Sequence, residues 1–168
     1  TSVTTTSRES YTADNEEARI LKDSLEPASD FYRVEKKTRK TKNDGAWMNF
    51  PSVSLFSSTA NADLSKFFKK LGCESSTNAY SITGSTPFVD SIFSVKYALY
   101  SEAVSNTELM MYLRESGGTY LYENLYTLPL GFVFSSDIVE NWQYEMDNPA
   151  EVQNDLCLVT GADEVLVD

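Results

Sequence analysis

Apolar side chains recur at helical spacing in several stretches of this chain and at strand spacing in several shorter ones. Ala18, Leu21 and Leu25 follow Asp14 and Glu17, a pair resembling a capping box with Asp in place of Ser or Thr, so the pattern predicts a helix over 15–26 that Pro27 ends. Leu64, Phe67, Phe68 and Leu71 form one stripe behind Asn61, predicting a helix that Asn61 caps and Gly72 ends, with Lys66, Lys69 and Lys70 on the opposite face. Pro87 after Thr86 opens a short helix to about Phe93. The clearest helix start is Asn148-Pro149 with Glu151 behind it, and Val152, Leu156 and Val159 share a face until Gly161.

Strands are predicted for 31–36, 52–57 and 95–100, the last nearly continuously apolar and therefore central. Residues 120–126 and 130–135 read as two further strands joined by Thr127-Leu128-Pro129. Asn43-Asp44-Gly45 and Ser116-Gly117-Gly118 read as turns. The polar, β-prone residues 1–12 read as an entry strand or loop, with partial order to residue 13. Helices interleaved with short strands, with no repeat and no low-complexity linker, predict one mixed α/β domain over 1–168, a mixed sheet flanked by short helices.

At 168 residues, 41% hydrophobic and 12% aromatic, the chain is too apolar for disorder and long enough to bury one core. No apolar run approaches the roughly 18–20 residues that span a bilayer. The Ser/Thr-rich start at Thr1 and the stop after Val165-Leu166-Val167 read as trimmed ends of a larger protein.

Charge divides the chain. The net charge is −11, yet every one of the 14 basic residues lies at or before Arg114, and 11 carboxylates follow it without a Lys or Arg. Such a half repels polyphosphates, so nucleic acid is not an expected partner. The absence of histidine removes the commonest general base and the usual zinc ligands. Cys73 and Cys157 fit either two buried thiols or a disulfide, and their spacing is no metal motif.

The sharpest local feature is a run of six cations in ten residues, Arg33, Lys36, Lys37, Arg39, Lys40 and Lys42. It suits the phosphates of a lipid head group or an anionic polymer, and Lys66, Lys69 and Lys70 extend it if their helix packs alongside. The alternative is a solvated edge strand and loop protected from aggregation by charge. Asp44, Asp90 and Glu123 are the carboxylates best placed for acid–base work, but no pair is singled out, and each equally suits a cap, a turn or a solvated face. Ser116-Gly117-Gly118 and Thr83-Gly84-Ser85 lack the lysine of a phosphate-cradling loop, and the Asp and Asn residues near 147–155 lack calcium-loop spacing. Tyr120-Leu121-Tyr122 and Trp142-Gln143-Tyr144 suit either core packing or an aromatic ligand surface.

Several blocks in order resemble the YfhO family of bacterial multi-pass membrane proteins. They are Asp30–Glu35, Asn43-Asp44-Gly45, Ser52–Ser58 with Asn61, Phe67–Gly72, Gly84–Phe93 with Val95-Lys96-Tyr97, Tyr122-Glu123-Asn124, Leu128–Phe132, and Asn148-Pro149 with Gln153-Asn154. The resemblance implies an extracytoplasmic domain at the cell membrane, in a parent similar to lipid-linked-sugar glycosyltransferases that decorate polymers such as lipoteichoic acid. It carries over no catalytic residue, metal or cofactor, because the acid of that membrane class lies in a loop outside these residues. The partners it implies are the membrane portion of the parent chain and a polyprenyl-phosphate sugar or anionic envelope polymer. The run from Arg33 to Lys42 would then face phosphate or membrane; the alternative is a structural or partner-binding module without substrate contact.

Overall fold

The computed structural model describes residues 5–26 and 30–161. Along them run α1 (Arg8–Thr12), α2 (Asn15–Asp23), β1 (Arg33–Lys36), α3 (Asp44–Met48), β2 (Leu55–Phe56), α4 (Ala62–Lys70), β3 (Ser75–Ser76), β4 (Ala79–Tyr80), α5 (Pro87–Ile92), β5 (Val95–Tyr100), β6 (Met110–Ser116), β7 (Thr119–Asn124), α6 (Asp137–Asn141) and α7 (Pro149–Val159). The mixed α/β class is as expected. A four-stranded sheet has the order β1-β5-β7-β6, and a smaller sheet the order β2-β4-β3. The larger sheet is mixed, because β1 runs parallel to β5 while β5, β7 and β6 alternate in direction.

β5 is interior, as its apolar sequence predicts, and its residues feed three clusters. Tyr97 and Leu99 pack with Val34, Leu121, Ala18 and Leu21 of α2 and Met48 of α3. Ala98, on the other face, meets Met110 and Tyr122. Val95 joins Phe68 and Leu71 of the α4 turn, Tyr80, Ile82, Val89 of α5 and Val152 of α7. Phe68 is fully buried, with the rings of Tyr80 and Phe93 stacked on it at 4.8 and 4.7 Å. Polar bonds lock α7 onto this core: Gln153 Nε2 donates to the Leu71 carbonyl at 2.9 Å, and Thr86 Oγ1 donates to Gln153 Oε1 at 2.7 Å.

The caps read from sequence hold at Asn61 and Asn148, and Thr86, ahead of the helix-opening Pro87, caps a third helix. Asn61 Oδ1 accepts from the Asp63 and Leu64 amides, Thr86 Oγ1 from Val89, and Asn148 Oδ1 from Ala150, each worth about 1 kcal/mol. Asp14 is different. Its backbone is left-handed (φ 63°), its side chain makes no cap bond, and α2 ends at Asp23 rather than at 26. Pro27 lies outside the described residues.

Other elements depart from the sequence reading for non-local reasons. Residues 8–12, expected as strand or loop, form α1: Ser7 Oγ caps it, Lys40 Nζ satisfies the Ser10 and Ala13 carbonyls, and Tyr11 packs edge-on against Trp47. Asn43-Asp44-Gly45 opens α3 rather than making a free turn. Of 52–57 only Leu55–Phe56 is strand, because the Val53 and Ser54 amides are taken by the Glu35 carboxylate. Next to them the Asn43 side chain donates to the Phe56 carbonyl (3.0 Å) and accepts from the Phe56 amide (2.9 Å).

The hairpin partner of β7 is the preceding β6, reached through Gly117 and Gly118, whose φ values of 53° and 81° suit the tight mirror-image turn such connections require. With β5 on one side and β6 on the other, β7 has no free edge, so 130–135 cannot pair with it as the hairpin reading required, and it forms no strand.

Candidate functional site

β1 pairs with β5 and delivers the cationic run to the loop 37–42 at its end. Arg33 Nη1 donates to the Phe93 carbonyl at 2.7 Å, and its guanidinium lies 5.1 Å from the centre of the Phe31 ring. Lys36 is buried 4.0 Å from the Asp44 carboxylate; burial lowers its pKa, and Asp44 opposes the shift. Lys37 donates to Asp90 at 2.7 and 3.0 Å and to Ser85 Oγ at 2.7 Å. Arg39 donates to Glu74, Thr83 Oγ1 and Ser81 Oγ. Lys40 lies 3.9 Å from Asp14, besides holding the end of α1, and Lys42 donates to Glu74 at 2.6 Å.

All six cations therefore have partners within the protein. Six positive charges face four carboxylates, Asp14, Asp44, Glu74 and Asp90, which leaves two in surplus. One of the two is the charge of Arg33, held by the Phe93 carbonyl and the Phe31 ring; the other lies where Arg39 and Lys42 share Glu74. The Glu74 side chain is 44% exposed, and hydrogen bonds from Lys42 and Ser81, with burial opposing, hold its pKa below the usual carboxylate value. Residues 37–42, Glu74 and Thr83 line a shallow cavity of about 580 Å³ over this cluster. An oxyanion entering there meets a guanidinium and an ammonium already held in place, with one water-accessible carboxylate to bridge or displace.

Lys66, Lys69 and Lys70 do not extend this surface. They line a separate cavity of about 710 Å³ with Phe67, Tyr144, Glu145 and Met146, where Lys70 bonds the Glu145 carbonyl and carboxylate. The three carboxylates considered for acid–base work are engaged structurally. Asp44 accepts from the Lys40 and Thr41 amides and the Thr41 hydroxyl, Asp90 from Lys37 and Ser85, and Glu123 pairs with Lys96 at 3.5 Å.

Sequence reasoning missed Glu35 and Glu74. Glu35 is buried, its pKa raised by desolvation against the bonds it accepts from Val53 and Ser54. Its place in a short strand beside an apolar residue was the available signal. Nothing local marks Glu74, whose role arises only when residues 39 and 42 fold against it. Cys73 and Cys157 are both buried as thiols, and burial, reinforced by Asp90, pushes the Cys73 thiol up to about 12. Tyr122 belongs to the core, Trp142 Nε1 donates to the Val152 carbonyl at 3.0 Å, and Tyr144 is exposed at the rim of the α4 cavity.

Among the described residues no helix is long and apolar enough to cross a membrane, and no group of His, Cys, Asp and Glu side chains has metal-binding geometry. The family described as bacterial membrane protein YfhO matches residues 1–161. No curated protein and no solved structure matches the chain.

Proposed function

Since the chain belongs to the YfhO family of bacterial membrane proteins, we propose that it is a non-catalytic extracytoplasmic domain of a membrane-embedded, glycosyltransferase-like protein acting on cell-envelope polymers such as lipoteichoic acid. In this reading the Arg39–Lys42–Glu74 cluster meets the phosphate of a polyprenyl-phosphate sugar or of the acceptor polymer. The supporting observation is that two cations share one half-exposed carboxylate at the mouth of a shallow cavity. Arg33, Lys36, Lys37 and Lys40 have a different part, holding the loop in shape through buried or backbone partners.

The test is Arg39→Gln with Lys42→Gln in the full-length protein, because these two share the half-exposed Glu74 at the cavity and the other four support the fold. Glycosylation of the envelope polymer falls if the cluster meets phosphate, with the domain's melting temperature tracked to separate loss of contact from loss of fold. Unchanged glycosylation removes the role. A second reading, a structural module without substrate contact, is favoured by the internal partners of all six cations. Salt-sensitive binding of the domain to teichoic acid supports the first reading, and absence of binding the second.

A further inference from the structure

Independently of the basic loop, we infer that the face built from residues 125–139 is a docking surface for a protein segment that is apolar at its centre and flanked by lysine or arginine. Past β7 the chain leaves the sheet and runs without strand or helix to α6, yet it stays apolar. Leu125, Tyr126, Leu130, Val133, Phe134 and Val139 are all exposed, Val133 by 96% and Val139 by 85%. Isolated exposed apolar residues are ordinary on a protein surface, but six within fifteen positions, with Phe134 among them lining an apolar groove, are the observation from which the inference starts.

The segment is anchored. The Leu128 amide donates to the Ser91 carbonyl, the Thr127 hydroxyl to the Asn124 carbonyl and the Tyr126 amide to Asn124 Oδ1. Beside it an apolar groove of about 530 Å³ is lined by Phe88, Ile92, Phe134, Ile138, Trp142 and Leu156, among others. An apolar side chain lying in this half-open groove gives up water contact on the side that faces these residues.

Charge selects the occupant. From Glu115 to Gly161 there are eight carboxylates and no lysine or arginine, and although Glu123 and Glu145 pair with Lys96 and Lys70, the segment 125–139 itself carries only the acidic Asp137. Asp137 and Glu140 of α6 are exposed, as is Val139 between them, and neither acid forms an ion pair among the described residues. An anionic bilayer is repelled by such a face. A second copy placed on it face to face sets carboxylate against carboxylate, and the cations of the 33–42 run already have partners. An apolar segment with basic flanks fills the groove and pairs the carboxylates together.

Two fluorescent peptides sharing a leucine-rich centre, one with lysine at both ends and one with glutamate, test this by anisotropy on the whole chain. The lysine peptide is expected to bind about tenfold tighter than the glutamate peptide at low salt, and the preference to shrink in 1 M salt. Asp137→Asn with Glu140→Gln removes the preference. Val133→Ser with Val139→Ser weakens both peptides without lowering the melting temperature, since both side chains point into water, and Lys66→Ser on α4 changes nothing. Equal affinity for the two peptides, no binding of either, or insensitivity to the valine changes overturns the inference. So does sedimentation with phosphatidylcholine vesicles in place of peptide binding, or self-association at micromolar concentration that the valine changes abolish. None of these readouts involves Arg39 or Lys42, so this surface and the phosphate cluster stand or fall separately.

Discussion

Asp90→Asn should destabilise the domain far more than an exposed ion-pair change. Asp90 accepts from Lys37 Nζ at 2.7 and 3.0 Å and from Ser85 Oγ at 2.6 Å, and the two charged side chains are only 5% and 14% exposed. Exposed pairs contribute about 0–1 kcal/mol, whereas removing one partner of a buried pair costs roughly 3–5 kcal/mol because the other charge is left desolvated. Asparagine keeps an oxygen for Ser85, and Lys37 keeps its own bond to that hydroxyl, so the lower end applies, about 3 kcal/mol. For a domain of this size that is a fall of roughly 6–12 °C in melting temperature. Urea and thermal denaturation followed by circular dichroism at pH 7 measure it, with an unchanged urea slope confirming the same native state. Lys37→Met combined with Asp90→Leu removes both charges and should lie closer to the parent than either single change. A loss below about 1 kcal/mol for Asp90→Asn, or a double variant equal to the sum of the singles, would refute the reasoning.

Phe68→Ala, which empties a fully buried stacked site, should cost about 3–5 kcal/mol in the same urea titration. Gly84→Ala should cost more than about 1 kcal/mol, because its φ of 84° disfavours a side chain and the new Cβ would sit 2.6 Å from the Gly72 carbonyl oxygen. Burial raises the Glu35 pKa above its ordinary 4.5, so the folded state holds that proton more tightly than the unfolded one. Its contribution is full below the unfolded pKa and is lost as pH rises through the folded pKa. The lowered pKa of Glu74 acts in the opposite sense, with stability lost as pH falls, so the readout is the difference between Glu35→Gln and the parent across the acidic range, which should show the parent's relative stability declining with pH. Cys73, its thiol pushed up to about 12 and largely buried, should resist a thiol reagent at pH 8 in the native state and react once urea unfolds the chain.

The helices whose start is written in neighbouring residues were legible: α4, α5 and α7 each carry Asn or Thr at the cap with an apolar stripe or a proline behind it. β5 was legible because an interior strand needs apolar residues on both faces. What failed depends on distant partners. α1 exists through Lys40 and Trp47, and β6 lies at the sheet edge, where exposed Met111 and Tyr112 give no clean alternation. The apolar run 130–135 looks like a strand, yet both edges of its supposed partner are occupied. At the candidate site the cationic run was evident from residue identity alone. The carboxylates that neutralise most of it come from residues 14, 44, 74 and 90, which no local pattern connects.

The Asn43 side chain turned toward Phe56 has a meaning beyond local bonding. β2 is one of the two outer strands of the small sheet, and an outer strand offers its unused amide and carbonyl to any extended chain that drifts past. A primary amide carries the same donor and acceptor as a peptide group, so Asn43 stands in as a one-residue counterfeit strand and takes the place an intruding chain would need. The side chain that follows the cationic loop thus closes this edge to a further strand at Phe56, and there the identity of residue 43 matters more than the charges before it.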